Sequence, residues 1–187
     1  MIHFREIEDK DAKKILGWRI SDRVTTYMKT DIINDLDLQM KWLQDSFIKP
    51  NYYHWIIQHH GNDIGLLYFS DWKSVNKTTS WGFYIGEEKV LGLGAFVAPY
   101  FHNFAFEVLN VKKVLAEVFY YNTVMIDLHL KAGYKFDLNR NHLIKKNGNE
   151  VLVICMSLEK SIFQKSIFAK FKQDLPIKKW KTGLYKI

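Results

Sequence analysis

The chain has 187 residues, the length of one ordinary domain, and its 48% apolar and 25% charged residues are typical of a globular protein. This composition excludes wholesale disorder, a collagen-like repeat and a disulfide scaffold, since Cys155 is the only cysteine. No apolar run approaches the roughly 20 residues of a membrane span, and residues 1–5 do not resemble a signal peptide, so we expect a cytoplasmic protein.

The net charge of +7 lies in the C-terminal segment 160–187, which contains eight lysines and one acid. Residues 1–159 hold 19 basic and 19 acidic groups and therefore balance. A body without a basic field does not favour nucleic-acid binding. We expect two parts: a domain over 1–159 and a basic amphipathic extension over 160–187.

The first half of the chain predicts a strand over 3–7 and a helix over 9–18. A second helix begins at 34–35 and ends at Pro50, and its apolar face is predicted to comprise Leu36, Met40, Leu43 and Phe47. Alternating residues then predict strands over 53–58, 64–69 and 78–85, with a hairpin turn at 61–63 between the first two.

The second half predicts a helix over 95–109, a strand over 113–119 and a helix over 123–131 that ends at Gly133. Strands are predicted over 134–137, 143–146 and 151–156, with a turn at 147–148 between the last two. Antiparallel strands followed by strand–helix–strand units indicate an α/β (α+β) protein, with a mixed, mostly antiparallel sheet flanked by helices.

A glycine-containing turn, 87–94, separates the strand over 78–85 from the following helix. Gly92 and Gly94 let the backbone approach an anion such as a pyrophosphate, and the helix N-terminus adds positive potential. The same spacing also occurs in ordinary strand–helix turns, and both interpretations stay open here. The absence of a following Gly-Lys-Ser/Thr excludes a P-loop.

Three polar residues near the next strand are candidates for chemistry. Glu117 lies in an apolar strand, where burial would raise its pKa and suit a general base; the alternative is an acid paired with a Lys or Arg. Asn122 precedes a helix and is a candidate N-cap. His129, inside that helix, is either structural or a proton donor and acceptor near an active site.

Together these segments resemble the GNAT superfamily of acetyl-CoA-dependent N-acetyltransferases over about 63–158. Lys89-Val-Leu-Gly92-Leu-Gly94 is similar to the family's Gln/Arg-x-x-Gly-x-Gly/Ala, and 81–86 resembles its splayed strand. Residues 122–134 resemble Asn-x-x-Ala-Ile-x-Leu-Tyr-x-x-x-Gly-Phe, with His129 in place of the Tyr and Met125 in place of the Ala.

The resemblance implies the GNAT fold, acetyl-CoA as co-substrate and no metal. It implies that Glu117, through a water, deprotonates the acceptor amine, and that His129 protonates the leaving thiolate. The residues that it implies for the coenzyme are Tyr84, Ile85, Gly86, Lys89, Val90, Leu91, Gly92, Leu93, Gly94, Ala95, Asn122 and Ile126.

Within the superfamily, segments 15–19, 27–28, 65–71, 76–77 and 80–86 are similar to the N-acetyltransferases of pseudaminic acid biosynthesis. That likeness implies a UDP-linked 4-amino-4,6-dideoxy-sugar as acceptor, with Arg19 on a phosphate. Arg19 in a salt bridge with Asp22, and the aromatic residues in the core, are the alternatives. The candidate acceptor residues are Arg19, Tyr27, Met28, His54, Lys73 and Trp81.

Two other functions stay open. The ribosomal-protein acetyltransferases share part of the Trp18-Arg19 segment, which implies a peptide amino terminus as acceptor. A GNAT fold that binds acetyl-CoA without catalysis is the other, and His129 is its main support.

In the extension, apolar residues over 162–171 predict an amphipathic helix that covers the domain, joins a second subunit in a homodimer, or contacts an anionic surface.

Overall fold

A computed structural model describes residues 1–49, 52–71 and 75–176. The described chain forms one eight-stranded sheet. The strands are β1 (Ile2–Glu6), β2 (Tyr52–His59), β3 (Asn62–Ser70), β4 (Thr78–Ile85), β5 (Lys113–Phe119), β6 (Lys135–Phe136), β7 (His142–Lys146) and β8 (Asn149–Glu159).

The sheet order is β1-β2-β3-β4-β5-β8-β6, and β7 pairs with β8 beside β6. All the pairs in this described sheet are antiparallel except β4–β5, which is parallel. The mixed, mostly antiparallel class predicted from the sequence is therefore confirmed. The turn after β2 is formed by His60 and Gly61, which both have positive φ, and thus begins one residue earlier than predicted.

The α-helices are α1 (Ala12–Ile20), α2 (Asp22–Thr25), α3 (Leu36–Ile48), α4 (Val97–Asn103), α5 (Thr123–Lys131) and α6 (Lys160–Phe163). The single helix predicted over 95–109 is wrong in detail. The chain instead forms three consecutive elements there: a 3-10 helix (Glu88–Phe96), α4, and a π-helical turn (Phe104–Val108). This change of winding leaves Phe101, Phe104 and Phe106 all buried against the sheet.

Apolar side chains pack on both faces of the sheet because successive strand residues point to opposite sides. Trp55 and Ile57 on β2 belong to the larger cluster, which includes Phe69 and Phe101. Ile56, between them, belongs to the smaller cluster with α1 and α3. The candidate site lies on this second side of the sheet.

The buried face of α3 differs from the predicted one. Leu43 is fully buried, but its buried companions are Gln39 and Ser46, whereas Leu36 and Phe47 are 43% and 47% exposed. The reason is rotational: Gln39, Leu43 and Ser46 follow the i, i+4, i+7 spacing of one helix face. This orientation turns the amide of Gln39 towards the sheet.

The extension is not one amphipathic helix. Residues 160–170 form α6 and a separate 3-10 helix (Ile167–Lys170), which Ser166 caps by accepting from the Phe168 amide. Phe163 and Leu175 join the larger cluster, and Trp55 Nε1 donates to the Pro176 carbonyl at 2.8 Å. Residues 177–187 lie outside the described residues. Contact of the extension 160–187 with a second subunit or an anionic surface stays a prediction.

In the portion of the chain that the structure describes, none of the helices has the length and apolarity required to cross a membrane.

Candidate active site

The parallel pair β4–β5 opens into a wedge. The two strands are paired only from Thr78 to Ser80 on β4 and from Lys113 to Leu115 on β5. Beyond these three pairs the strands diverge, and residues 81–85 and 116–119 line a cavity of about 1180 Å³. Backbone groups on the facing edges of the wedge are therefore not used by the β4–β5 ladder.

The cavity brings together most of the residues predicted from the sequence: Arg19, Tyr27, Met28, His54, Trp81, Tyr84, Ile85, Gly92, Gly94, Ala95, Glu117, Asn122 and His129. Other predicted residues are not among its described lining, namely Gly86, Lys89, Val90, Leu93 and Ile126. Leu91 lies in the same 3-10 helix as Gly92, and Lys73 lies outside the described residues.

The turn that follows β4 leaves room for an anion. A β-carbon at Gly92 would meet nothing within 4 Å, so the absence of a side chain keeps this part of the cavity wall open. A β-carbon at Gly94 would lie 3.1 Å from Phe83 Cε2, which shows how closely the turn packs on β4. Asn122 caps α5 by accepting from the Met125 amide and also borders the cavity. These features fit the pyrophosphate and pantetheine of acetyl-CoA.

The end of β4 is held by α1 and α2. Arg23 Nη1 donates to the Ile85 carbonyl at 2.8 Å, and its Nη2 donates to the Gly86 carbonyl. Trp18 Nε1 donates to Glu87 Oε1 at 2.9 Å. The N-terminal helices thus fix the end of β4, beyond the residues of this strand that pair with β5.

Glu117 is not the buried acid with a raised pKa that the sequence predicted. Its side chain is 24% exposed, and it pairs with Lys29 through Oε2 and with Arg140 Nη2 at 3.4 Å through Oε1. Partial burial alone would raise the pKa of Glu117, but the hydrogen bond and charge of Lys29, with the charges of His142 and Arg140, lower it. The carboxylate is therefore ionised at neutral pH.

His129 is 4% exposed and faces the rings of Trp81 and Tyr134, whose centroids lie 5.9 and 4.6 Å away. Burial lowers the pKa of His129 to about 4. The imidazole is therefore neutral at pH 7, with one N–H donor and one acceptor nitrogen, and can pass on a proton to the thiolate only as it takes one up.

Trp81 belongs to the core as well as to the cavity wall. It is 6% exposed, stacks on Phe101 at 4.9 Å, and donates from Nε1 to the Tyr134 hydroxyl at 2.8 Å. His102 Nε2 lies 2.7 Å from the same hydroxyl. The indole N–H can only donate, so the Tyr134 hydroxyl accepts from Trp81. This buried network holds the C-terminal end of α5 against β4.

The part of the cavity beneath α1 and α3 contains buried polar atoms without partners. Arg19 Nη2 donates to the Thr30 carbonyl and hydroxyl at 3.0 and 3.1 Å, rather than pairing with Asp22. Its Nη1, the Gln39 Nε2 and the Tyr84 hydroxyl are all buried without a hydrogen bond to the described chain. Unpaired buried donors are costly, and a ligand rich in acceptors would satisfy them.

Aromatic side chains surround these donors. His54 is 5% exposed, lies between Trp42 at 5.0 Å and Tyr52 at 4.5 Å, and burial lowers its pKa to about 3. Tyr52, Tyr68 and Gln39 also line the cavity but were not predicted from the sequence. The two tyrosines could have been found from the strand pattern. Tyr52 is two residues from His54 and so shares its face of β2, and Tyr68 is paired with His54 across β2 and β3.

The charges on the cavity wall are mainly positive. Among its described lining residues, the basic ones are Arg19, Arg23 and Lys29, and the only acidic one is Glu117. Within the described ranges, no group of three or more His, Cys, Asp and Glu side chains is placed to hold a metal.

The model of the acetyltransferase (GNAT) domain family matches residues 4–151. No curated relative matches the chain in sequence. Spermidine N-acetyltransferase from Vibrio cholerae, solved in complex with CoA and spermine, is similar in structure, with a TM-score of 0.77 at 17% identity over 87% of this chain and 97% of that one. An uncharacterized protein from Bacillus halodurans has a TM-score of 0.72 at 18% identity, over 88% of this chain and 86% of that one.

At these identities the solved structures show a shared fold, whereas the family match spans most of the chain. The wedge between β4 and β5, the open turn at Gly92 and the cap at Asn122 agree with that match. The chain belongs to the GNAT family of acetyltransferases and is an acetyl-CoA-dependent N-acetyltransferase.

Proposed function

We propose that the acceptor is an amine on an anionic small molecule, and specifically the 4-amino group of a UDP-linked 4-amino-4,6-dideoxy-sugar. The observation that carries this proposal is the charge of the cavity, where Arg19, Arg23 and Lys29 outnumber Glu117. A nucleotide diphosphate supplies the negative charge and the acceptor atoms that Arg19, Gln39 and Tyr84 lack.

The sugar ring and the uracil of this acceptor would lie against the aromatic side chains of the cavity. Tyr52, His54 and Tyr68 offer ring faces and edges, and Met28 offers an apolar contact for a 6-methyl group. Arg19 would bind phosphate oxygens with its free Nη1 while Thr30 holds its Nη2. Each of these side chains contributes binding and orientation rather than chemistry.

The transfer takes place directly between the two bound substrates. The acceptor arrives as an ammonium and gives a proton to the Glu117 carboxylate, through a water. Its nitrogen then attacks the thioester carbon, and a backbone N–H near Tyr84 or Ile85 stabilises the oxyanion. The carbon–sulfur bond breaks as the second ammonium proton passes through the neutral imidazole of His129 to the departing sulfur.

A polyamine is the second candidate, because a similar structure contains spermine. A polyamine carries several positive charges and is recognised by carboxylates. The described cavity wall offers one carboxylate, Glu117, and it is already paired with Lys29 and Arg140. The electrostatics therefore favour the anionic acceptor over a polyamine, and also over the amino terminus of a basic peptide.

The test is a competition among acceptors. The full chain, acetyl-CoA and equal amounts of UDP-4-amino-sugars, spermidine and a peptide with a free amino terminus are mixed, and mass spectrometry identifies the acetylated product. We expect the UDP-linked sugar to be the preferred acceptor, and the Arg19→Gln variant to lose most of that preference by raising its KM. Faster acetylation of spermidine or of the peptide would overturn the proposal.

A further inference from the structure

The side-chain amine of Lys29 contacts Glu117, the candidate general base. Its ammonium pairs with Glu117 Oε2, although the two residues are 88 positions apart in sequence. Both side chains line the cavity into which the β4–β5 wedge opens. Lys29 lies in the connection between α2 and α3, outside any regular element.

The connection between α2 and α3, which contains Lys29, is held by hydrogen bonds and an ion pair. Thr26 accepts from the Tyr121 hydroxyl at 2.7 Å, Thr30 accepts from Arg19 at 3.0 Å, and Asp31 pairs with Lys146 at 2.5 Å. In this last pair the Lys146 side chain is only 6% exposed, whereas the Asp31 side chain is 45% exposed. Contacts on both sides of Lys29 therefore hold its backbone above β5 and direct its side chain to Glu117.

A general base must lie within hydrogen-bond reach of the amine it deprotonates, directly or through one water. If Glu117 is that base, the Lys29 nitrogen already lies within the reach that an amine needs in order to be deprotonated by it. This step rests on the proposed function, since it takes Glu117 as the base and the wedge as the thioester site.

We propose that Lys29 is a site of self-acetylation, in which the chain transfers the acetyl group of acetyl-CoA to its own lysine when no acceptor is bound. The Lys29 ammonium gives one proton to the Glu117 carboxylate, and the neutral nitrogen attacks the thioester carbon. The nitrogen–carbon bond forms, the carbon–sulfur bond breaks, and the nitrogen's second proton leaves with CoA as its thiol. The product is a neutral N-acetyl-lysine.

The modification changes the charge at the mouth of the cavity. An acetylated Lys29 can no longer pair with Glu117, which then keeps only Arg140 at 3.4 Å among the partners described above. The positive charges on the described cavity wall fall from three to two, namely Arg19 and Arg23. Self-acetylation thus alters the surroundings of the base that carries it out.

The chain contains a matched control. Lys113 also pairs with a glutamate, Glu159, at 2.8 Å, and its side chain is 37% exposed compared with 46% for Lys29. Lys113 is not among the residues that line the cavity. Chemical acetylation by acetyl-CoA in solution should affect both lysines similarly, whereas acetylation within the site should affect Lys29 alone.

The experiment incubates the full chain with isotopically labelled acetyl-CoA and no acceptor, and follows both lysines by peptide mass spectrometry. We expect Lys29 to gain label at least about tenfold faster than Lys113, the ratio that corresponds to about 1.4 kcal/mol in barrier height. The rate constant should not depend on chain concentration. Equal rates at the two lysines, or a rate constant that rises with chain concentration, would overturn the proposal.

Two variants complete the test. Lys29→Arg should remove the label while keeping the positive charge, and Glu117→Gln should reduce labelling of Lys29 to the rate of Lys113; undiminished labelling in Glu117→Gln counts against the proposal. Circular dichroism and thermal melts verify that both variants are folded. Labelled Lys29 without turnover of UDP-sugars contradicts the proposed acceptor alone, and turnover of UDP-sugars without labelled Lys29 contradicts self-acetylation alone.

Discussion

The indole of Trp18 lies directly against the α-carbon of Gly86. A β-carbon at position 86 would come within 2.2 Å of Trp18 Cγ, which is far closer than any real contact. The same tryptophan donates to Glu87, and Arg23 donates to the carbonyl of Gly86. Gly86 is thus required by the packing of α1 on the end of β4, at the mouth of the wedge.

Replacing Gly86 with alanine should therefore displace a rigid ring. We expect Gly86→Ala to lower the free energy of unfolding by about 1–3 kcal/mol, as overpacking does, and to weaken acetyl-CoA binding. Urea denaturation and calorimetry measure the two effects. Gly17→Ala, inside α1, is the control: a β-carbon there meets nothing within 4 Å, and alanine favours the helix, so its stability should not fall. A Gly86→Ala variant as stable as the wild type would contradict the packing argument.

Glu117→Gln should lower kcat by about 10²–10⁴, the usual contribution of a general base, while leaving the acetyl-CoA dissociation constant nearly unchanged. The amide keeps the shape of the side chain but cannot accept the proton. Steady-state kinetics and calorimetry separate the two quantities. Glu159→Gln, at the end of β8, is the matched control, and wild-type turnover in Glu117→Gln would exclude Glu117 as the base.

His129→Phe should reduce turnover by removing the group that returns a proton to sulfur, and His129→Tyr should restore part of it. Phenylalanine retains the packing against Trp81 and Tyr134, so the comparison isolates the ring nitrogens. Kinetics with the best acceptor from the competition provide the measurement. If His129→Phe is as active as the wild type, another group protonates the thiolate.

Stability should fall as the pH falls below about 6.5, the ordinary pKa of histidine. Burial lowers the pKa of His54 to about 3 and that of His129 to about 4, and it also lowers the pKa of His102. Above pH 6.5 these groups are neutral whether the chain is folded or unfolded, and contribute nothing to the pH dependence. Below it the unfolded chain binds protons that the folded chain does not, until the pH reaches each folded pKa.

Each buried histidine then removes about 1.4 kcal/mol per pH unit from the free energy of unfolding. Urea midpoints at pH 7, 6 and 5 measure the slope. A stability that is flat between pH 7 and 5 would show that these three side chains are not buried as neutral groups.

The order and type of most elements were predictable from the sequence, because the period of apolar residues changes from helical to alternating at Tyr52 and again around β5. Helix ends with clear chemistry were also predictable: Asp35 and Asn122 cap α3 and α5, and Gly133 follows α5 with positive φ. The wedge itself followed from the resemblance, since no local pattern reveals where two strands separate.

The pKa of Glu117 was predicted with the wrong sign for a definite reason. Its alternation with Val114, Ala116 and Val118 was correct, but its side of the strand is half-exposed and meets Lys29 from a distant loop. Pairing over 88 residues leaves no trace in local sequence. Gln39 was missed similarly, because a polar residue inside a predicted helix gives no sign that it faces a cavity.

The short pairing between β4 and β5 divides the sheet into two halves. Strands β1–β4 form one half and β5–β8 the other, and the ladder between the halves is three residues long. A substrate that fills the gap touches both halves at once and bridges the line along which they would separate. Occupancy of the site and resistance of the whole domain to unfolding are therefore coupled.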